Sequence, residues 1–454
     1  MDAKHLYRIT RTANRFLWPF ILPALGAIWL FSRSARPFFR ERLGLRSKGE
    51  AGAIPPTIQG GAKILFHLAS LGEAHAATPL IESLSRHQSL YLTTTTITGR
   101  AALQKKFPGI PVSLAPLDLP DLWEPFLKSR NISGILLFET EIWPSMMLCA
   151  NAMGIPVGVV NGRLSSRGIK RMGRIKFLFR PLIGLLDPVL VQSATDRDRF
   201  LSLGAHPEKV ILTGNLKWDS TKQPVHPDQL AHLEGWLSGG EIQLLNPDQK
   251  PFRLLLSSMH PKETELLLKA ILAYPEYARP LHLVLAPRHL DHIGEFQESF
   301  LLFPSYQTRS GSGKQSGEPN STIFLSILDT YGELPSMPSL CQMAVIGGTL
   351  EPIGGHSPIE AAQAGIPIVI GPFIDHIRDL VQTLEEGEGV LRVKNPESLP
   401  PILERLMNSG EEAKWIGSNA REVCERQRGA QQRTLAGLEG FLLKVSGSRK
   451  RVSP

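Results

Sequence analysis

The sequence is poor in cysteine. Cys149, Cys341 and Cys424 are its only three, and they form neither a CxxC pair nor a spaced framework. That excludes a disulfide scaffold and a cysteine-built metal site, and it fits a reducing compartment. There is no HExxH, no EF-hand spacing, and no Gly-Lys-Ser/Thr after the main glycine-rich stretch. A zincin, a calcium loop and a Walker A site are excluded in turn. Charge is also scarce over most of the chain. The net charge is +8, and residues 1–50 hold ten Lys/Arg against Asp2, Glu41 and Glu50, so that segment carries +7 and the remaining 404 residues +1. A nucleic-acid-binding body would need a basic face that this body lacks. Asp196-Arg197-Asp198 matches a metal-binding DxD only superficially. It sits in a helical pattern and reads as a solvated face, so the sequence supports no metal.

Long apolar runs are absent with one exception. Phe16–Ser32 is uncharged and lies between Arg15 and Arg33. Its length is near the lower limit for a spanning helix of about 20 residues, and Pro19 and Pro23 interrupt it. Trp18 and Trp29 suit an interfacial position. No small-residue cleavage site follows, which argues against a removed leader. The run reads as a membrane anchor, either a short span or an interfacial helix held by basic flanks on anionic lipid. The competing reading is a buried helix of the first domain.

What is present is a βα rhythm, twice. After a Gly/Pro/Ala linker at Gly49–Gly61, strands are expected at Ile64–His67, Leu90–Thr96, Ile135–Phe138, Val157–Val160, Val189–Gln192 and Val210–Leu212, with helical patterns between most of them. Residues 220–250 read as an interdomain connection. The rhythm then restarts at Phe252–Ser257, Leu281–Ala286, Thr322–Ile327, Met343–Ile346 and Ile366–Ile370, with Tyr306–Ser321 expected as a mobile loop. Alternating units imply a parallel, doubly wound sheet in each half. The expected fold class is therefore α/β, with two Rossmann-like domains facing a cleft. The expected boundaries are 1–48 for the anchor and its flanks, 49–220 for the first domain, 221–250 for the linker, 251–435 for the second domain, and 436–454 for a basic tail.

Ligands of such sheets bind beyond the carboxyl ends of the strands. In the first half those ends carry Ser70-Leu-Gly-Glu73, Glu139-Thr-Glu141, Asn161-Gly-Arg163 and Thr213-Gly-Asn-Leu-Lys217. Ser70 and Glu73 have capping-box spacing, so Glu73 is either a cap or a general base. Glu139 follows four apolar residues, where a charge needs a partner. Lys217 either meets an anion or is simply exposed. In the second half the ends carry Pro287-Arg288, Tyr331-Gly332-Glu333 and the stretch Gly347–Gly365. There Ser357 fits an N-cap, Pro358 the first helical position and Glu360 the reciprocal cap, with Gly365 ending the helix. A glycine loop that feeds a helix N-terminus outlines an anion site, and Arg288 is a natural phosphate partner.

Eight motifs in order, HLASLGE, ETEIWPS, VNGRLSSR, TGNLKWD, APRH, DTYGEL, GGTLEPIGGHSPIEAA and GPF, closely resemble those of the Kdo (3-deoxy-D-manno-oct-2-ulosonic acid) transferase family of lipopolysaccharide synthesis. The resemblance runs from about residue 16 to about residue 435. It implies the GT-B glycosyltransferase architecture and an inverting transfer of Kdo from CMP-Kdo to a lipid A precursor (lipid IVA). It implies a site at the cytoplasmic face of the inner membrane, inner-membrane lipids as partners, and neither metal nor cofactor. By motif, Glu73 is the implied catalytic base, and Glu139 and Lys217 are the implied transition-state stabilisers. Implied CMP contacts are Pro287, Arg288, Tyr331, Gly332, Glu333, Ser357, Pro358, Ile359 and Glu360. The family usually has Asn where Ser357 stands, and Met is common where Tyr331 stands. Two other readings are another membrane-associated GT-B enzyme with a UDP-sugar donor, and a membrane-tethered nucleotide-sugar-binding protein without turnover.

Overall fold

The computed structural model describes residues 2–3, 5–12, 36–44, 63–219, 227–241, 250–303, 306–311, 314–315 and 322–447. The expected anchor at Phe16–Ser32 and the linker at Gly49–Gly61 lie outside these residues. Among the described residues, no helix is long and apolar enough to cross a membrane. The chain divides into two compact units, Met1–Ser220 with Gly429–Pro454, and Thr221–Arg428.

The first unit is built on β1 (Lys63–Leu68), β2 (Leu90–Thr94), β3 (Val112–Leu114), β4 (Ile132–Phe138), β5 (Val157–Gly162), β6 (Leu186–Val191) and β7 (Val210–Leu212). They lie in the order β3-β2-β1-β4-β5-β6-β7, and every pair is parallel. Unbroken apolar runs form these strands because helices cover both faces. Alternate residues divide between the faces: Leu65, Ile135, Leu137 and Val159 pack with Trp123, whereas Ile64, Phe66, Leu136 and Phe138 pack with Leu438, Phe441 and Val445. The last three belong to the helix Ala430–Gly447. Most of the expected basic tail is therefore a packed helix of the first unit. Its apolar positions recur at helical spacing, and burying that stripe decides where it goes.

The second unit contains β8 (Phe252–Met259), β9 (Leu281–Pro287), β10 (Tyr306–Thr308), β11 (Lys314–Gln315), β12 (Ile323–Ile327), β13 (Met343–Ile346), β14 (Ile368–Ile370) and β15 (Leu391–Arg392). Their order is β11-β10-β12-β9-β8-β13-β14-β15, and only β10–β11 is antiparallel. Two of these strands fall inside the expected mobile loop Tyr306–Ser321, which is corrected accordingly. Strands this short leave little periodicity to read, as β3 and β15 also illustrate.

In each unit the winding reverses beside the first strand, between β1 and β4 in one and between β8 and β13 in the other. Such reversals open crevices at the carboxyl ends of the strands. Glu73 and Glu139 follow β1 and β4. His260 and the glycine loop follow β8 and β13.

Candidate active site

In the first unit, Ser70 caps the helix Leu71–Ser85, accepting the Glu73 N–H at 3.3 Å. The Glu73 carboxylate accepts the Ala69 N–H at 2.8 Å and the Ser70 hydroxyl at 3.2 Å. The N-cap is thus formed, but the carboxylate reaches back to Ala69, one residue before the cap, and not to the Ser70 N–H of a full capping box. The arrangement also holds Glu73 where burial, followed by the charges of Glu139 and Glu141, outweighs the Ala69 and Ser70 hydrogen bonds and pushes its pKa up to about 7. A carboxylate tuned to that range suits a general base at neutral pH.

Glu139 takes a left-handed backbone conformation, φ 56°, directly after β4. For a non-glycine residue this is strain of order 1 kcal/mol, a feature that concentrates at functional sites. Its side chain is 13% exposed, and the Lys217 ammonium lies 3.2 Å from its Oε1. The partner that a charge in this position requires is therefore Lys217. Lys217 sits in the 3₁₀ turn Leu216–Asp219. That turn is held by Asn161 at the end of β5: its Oδ1 accepts the Leu216 N–H at 2.9 Å, and its own φ is 54°. Glu141 faces other work. It accepts the Trp143 Nε1–H at 2.7 Å and lies 3.6 Å from Nε2 of the buried His67. Burial would raise its pKa, but His67 and Trp143 hold it below the ordinary carboxylate range. Asp118 anchors the following helix, Pro144–Ala152, by accepting the Ser145 and Met146 N–H groups at 3.1 and 3.0 Å.

Asp196 departs from expectation. It is buried, not solvated. It accepts the Leu164 N–H at 2.9 Å and the Ser193 hydroxyl at 2.6 Å, and so ties a helix start to the loop after β5.

In the second unit, Arg288 follows β9 with an exposed side chain and donates its backbone N–H to Met259 at 2.9 Å. Pro287 is buried as the last residue of that strand. Beyond β12, Tyr331 is 76% exposed and Gly332 has φ 85°. Glu333 is not a free carboxylate. Arg309 holds it through Nε at 3.1 Å and Nη2 at 2.9 Å, and the Thr330 hydroxyl donates to it. Desolvation raises the Glu333 pKa, yet these donors bring it below the usual range.

The glycine stretch follows β13. Gly347 meets the end of β8 so closely that a Cβ there would lie 2.2 Å from the Ser258 carbonyl oxygen, so only glycine fits. Gly348, Gly354 and Gly355 take positive φ. The expected cap shifts by one residue. The helix is Ile359–Ala364, Pro358 occupies the cap position with φ −88° and ψ 0°, and Ser357 Oγ accepts the Ile359 N–H at 3.3 Å. Ile359 N–H is consequently not free for a ligand, and a six-residue helix offers little dipole. Gly365 ends the helix at φ 75°, as its position suggests. Glu360 is exposed.

Spacing did not single out two residues that organise this loop. Glu263 is fully buried in the helix Pro261–Leu272, and its carboxylate accepts the Gly348 N–H at 2.6 Å. His260 Nε2 lies 2.8 Å from His356 Nε2. A signal for Glu263 existed, because His260-Pro261-Lys262-Glu263 repeats the cap spacing of Ser70–Glu73.

Two doubly wound sheets with polar residues gathered at their switch points define a two-domain α/β protein of the type that resembles GT-B glycosyltransferases. Among solved structures, HepE of Anabaena in complex with UDP matches with a TM-score of 0.52 at 15% identity, over 84% of this chain and 99% of that one. The UDP-GlcNAc 2-epimerase of Neisseria meningitidis matches with a TM-score of 0.53 at 13% identity, over 83% and 99%. At such identities the likeness concerns the fold.

Sequence similarity is more specific. The family model of the 3-deoxy-D-manno-octulosonic-acid transferase (kdotransferase) matches residues 38–220. The 3-deoxy-D-manno-octulosonic acid transferase of Haemophilus influenzae is 30% identical over 433 residues, which is 93% of this chain and 96% of that protein. The enzyme of the same name from Bordetella pertussis is 28% identical, over 91% and 96%. The chain belongs to the 3-deoxy-D-manno-octulosonic acid (Kdo) transferase family. It is a glycosyltransferase, and it transfers Kdo in lipopolysaccharide biosynthesis.

Proposed function

We propose that the donor is CMP-Kdo, that the acceptor is a lipid A precursor such as lipid IVA, and that Glu73 is the base. The observation that carries this reading is the Glu73 carboxylate at the β1/β4 switch point, with its pKa raised to about 7. Glu73 takes the proton from an acceptor hydroxyl as that oxygen bonds to the anomeric carbon of Kdo. The bond from the anomeric carbon to the phosphate oxygen breaks, and CMP leaves with the electron pair. Attack opposite the leaving group inverts the anomeric centre. Lys217, oriented by Glu139, stabilises charge that develops in the transition state.

The second unit holds the nucleotide. Arg288 presents an exposed guanidinium to the phosphate, with the Pro287 backbone beside it. Tyr331 and Gly332 offer an open platform. Ser357, Pro358, Ile359 and Glu360 flank the glycine loop, and Glu333 acts through Arg309. Residues 16–32 with their basic flanks tether the enzyme to the cytoplasmic face of the inner membrane, where the acceptor lies. Apolar burial there combines with attraction to anionic lipid.

The decisive experiment incubates the purified protein with CMP-Kdo and lipid IVA and weighs the products. Addition of Kdo to lipid IVA is expected, together with competition by CMP and not by UDP. UDP competition without CMP competition would sink the donor assignment. Unchanged turnover in Glu73→Ala would sink the assignment of the base.

A further inference from the structure

The loop Gly347–Gly355 is pinned at Thr349, whose buried hydroxyl donates to the Ile346 carbonyl at 2.6 Å and accepts the Gly371 N–H at 2.9 Å. It closes on itself through backbone hydrogen bonds from Gly355 N–H to Gly348 at 2.7 Å and from His356 N–H to Gly347 at 3.1 Å. It meets the rest of the unit through the backbone, with Gly347 N–H donating to Ser257 at 2.8 Å, Phe373 N–H to Thr349 at 3.0 Å and His376 N–H to Gly354 at 2.9 Å, and through two residues that follow β8. Glu263 uses both carboxylate oxygens. Oε1 accepts the N–H of Gly348 at 2.6 Å and of His260 at 2.9 Å, and Oε2 accepts the N–H of Leu350 at 3.3 Å. A fully buried carboxylate is costly unless donors surround it, and these three supply them. The second hold is the ring pair. His260 Nε2 and His356 Nε2 are 2.8 Å apart with rings inclined by 17°, so one nitrogen donates and the other accepts. His356 immediately precedes Ser357–Glu360.

We propose that Glu263 and the His260–His356 pair are positioning residues for the donor nucleotide. Together they fix the glycine loop from its first residues to the start of the helix Ile359–Ala364, and so set the backbone that meets the phosphate and sugar. The inference rests on the second unit being the donor half. It goes beyond that reading by assigning a function to residues that hold the loop. Gly348 and Leu350 lie at one end of the loop and His356 at the other. Loss of either hold lets that end relax while the sheet beneath stays intact.

The test compares Glu263→Gln, His260→Ala, His356→Ala and the double histidine variant with Arg288→Ala. Readouts are CMP affinity by calorimetry, the donor and acceptor KM values, and the melting temperature. Each positioning variant is expected to weaken CMP binding roughly 10-fold, the scale of one lost buried hydrogen bond. Donor KM should rise in step, with acceptor KM unchanged. The double histidine variant should be no worse than either single one, since the two rings act as a unit. A merely structural role would instead lower the melting temperature and leave CMP affinity at the wild-type value, which overturns the inference. If Glu263→Gln does not fold, the histidine variants decide alone. If Arg288→Ala weakens CMP binding and the positioning variants do not, the inference fails and the donor reading stands. If Arg288→Ala also binds CMP normally, the donor reading fails and takes the inference with it.

Discussion

Glu73 and Glu263 occupy the same place in their respective units. Each is the third residue of the helix that follows the first strand of its sheet, and each accepts backbone N–H groups around its own helix start. What differs is the loop across the switch point. Opposite Glu73 stand the carboxylates Glu139 and Glu141, which add to the larger effect of burial in raising its pKa to about 7, while the side chain stays partly exposed. Opposite Glu263 stand the Gly348 and Leu350 N–H groups, which surround it completely. One arrangement at a helix start thus yields a half-buried carboxyl with a raised pKa in one unit and a fully buried backbone acceptor in the other. A local motif therefore does not set the chemistry of its own carboxylate; the groups that face it do.

Removing the base tests this contrast most severely. Glu73→Gln should lower the rate of transfer about 100- to 10,000-fold, the range for a lost general base. CMP affinity by calorimetry should be unchanged. A near-wild-type rate would mean that Glu73 is only a cap. Next in size, Lys217→Ala should lower kcat about 100- to 1000-fold in steady-state assays, as for removal of one donor that stabilises transition-state charge.

The pH response tests the surroundings of Glu73 further. Glu73 must be ionised to act, so the rate of transfer should fall as pH drops below about 7 and reach a plateau above it. Stability should run the other way. A carboxyl with a raised folded pKa keeps its proton after the unfolded chain has lost its own, so stability declines from pH 4.5 towards about 7. Glu73→Gln removes this penalty and should gain more in melting temperature over the wild type at pH 8 than at pH 4.5. A variant that melts with the same offset at both values would show that Glu73 is not held under desolvation. The smallest effect is expected at Asn161, which holds the Lys217 turn as Glu263 holds the glycine loop, but with a neutral amide. Asn161→Ala should cost about 1–3 kcal/mol in the denaturant midpoint, the cost of leaving a buried N–H unmet.

Much of this was legible in advance. Apolar runs located nearly all the long strands, because parallel strands covered on both faces must be apolar throughout. Ser70–Glu73 read as a cap and as a base, and it is formed as the first while being tuned as the second requires. Glu139 was marked by the cost of a charge after four apolar residues, yet its partner Lys217 lies far along the chain and only the fold reveals it. The glycine loop was recognised, but its cap moved by one residue because Pro358 takes a non-helical ψ after two left-handed glycines. Asp196 was misread. Its neighbours Arg197 and Asp198 are exposed, and nothing in their spacing tells that Leu164 comes to meet it. The short strands β3, β10, β11 and β15, at or next to sheet edges, escaped notice because two or three residues carry no measurable period.

By itself the sequence determined the alternation of strands and helices, the polar residues at the strand ends and the motifs that mark the family. These depend on contacts within a few residues, where spacing alone dictates geometry. Only the tertiary structure decided which strand ends adjoin, and that the helix Ala430–Gly447 returns to the first sheet. It alone decided that Arg309 engages Glu333, that Glu263 is buried against the Gly348 and Leu350 N–H groups, and that Glu73 lies near Glu139 and Glu141 with a raised pKa. Each of these depends on burial and on charges brought from distant parts of the chain. Desolvation and Coulomb forces act through space and not along the backbone.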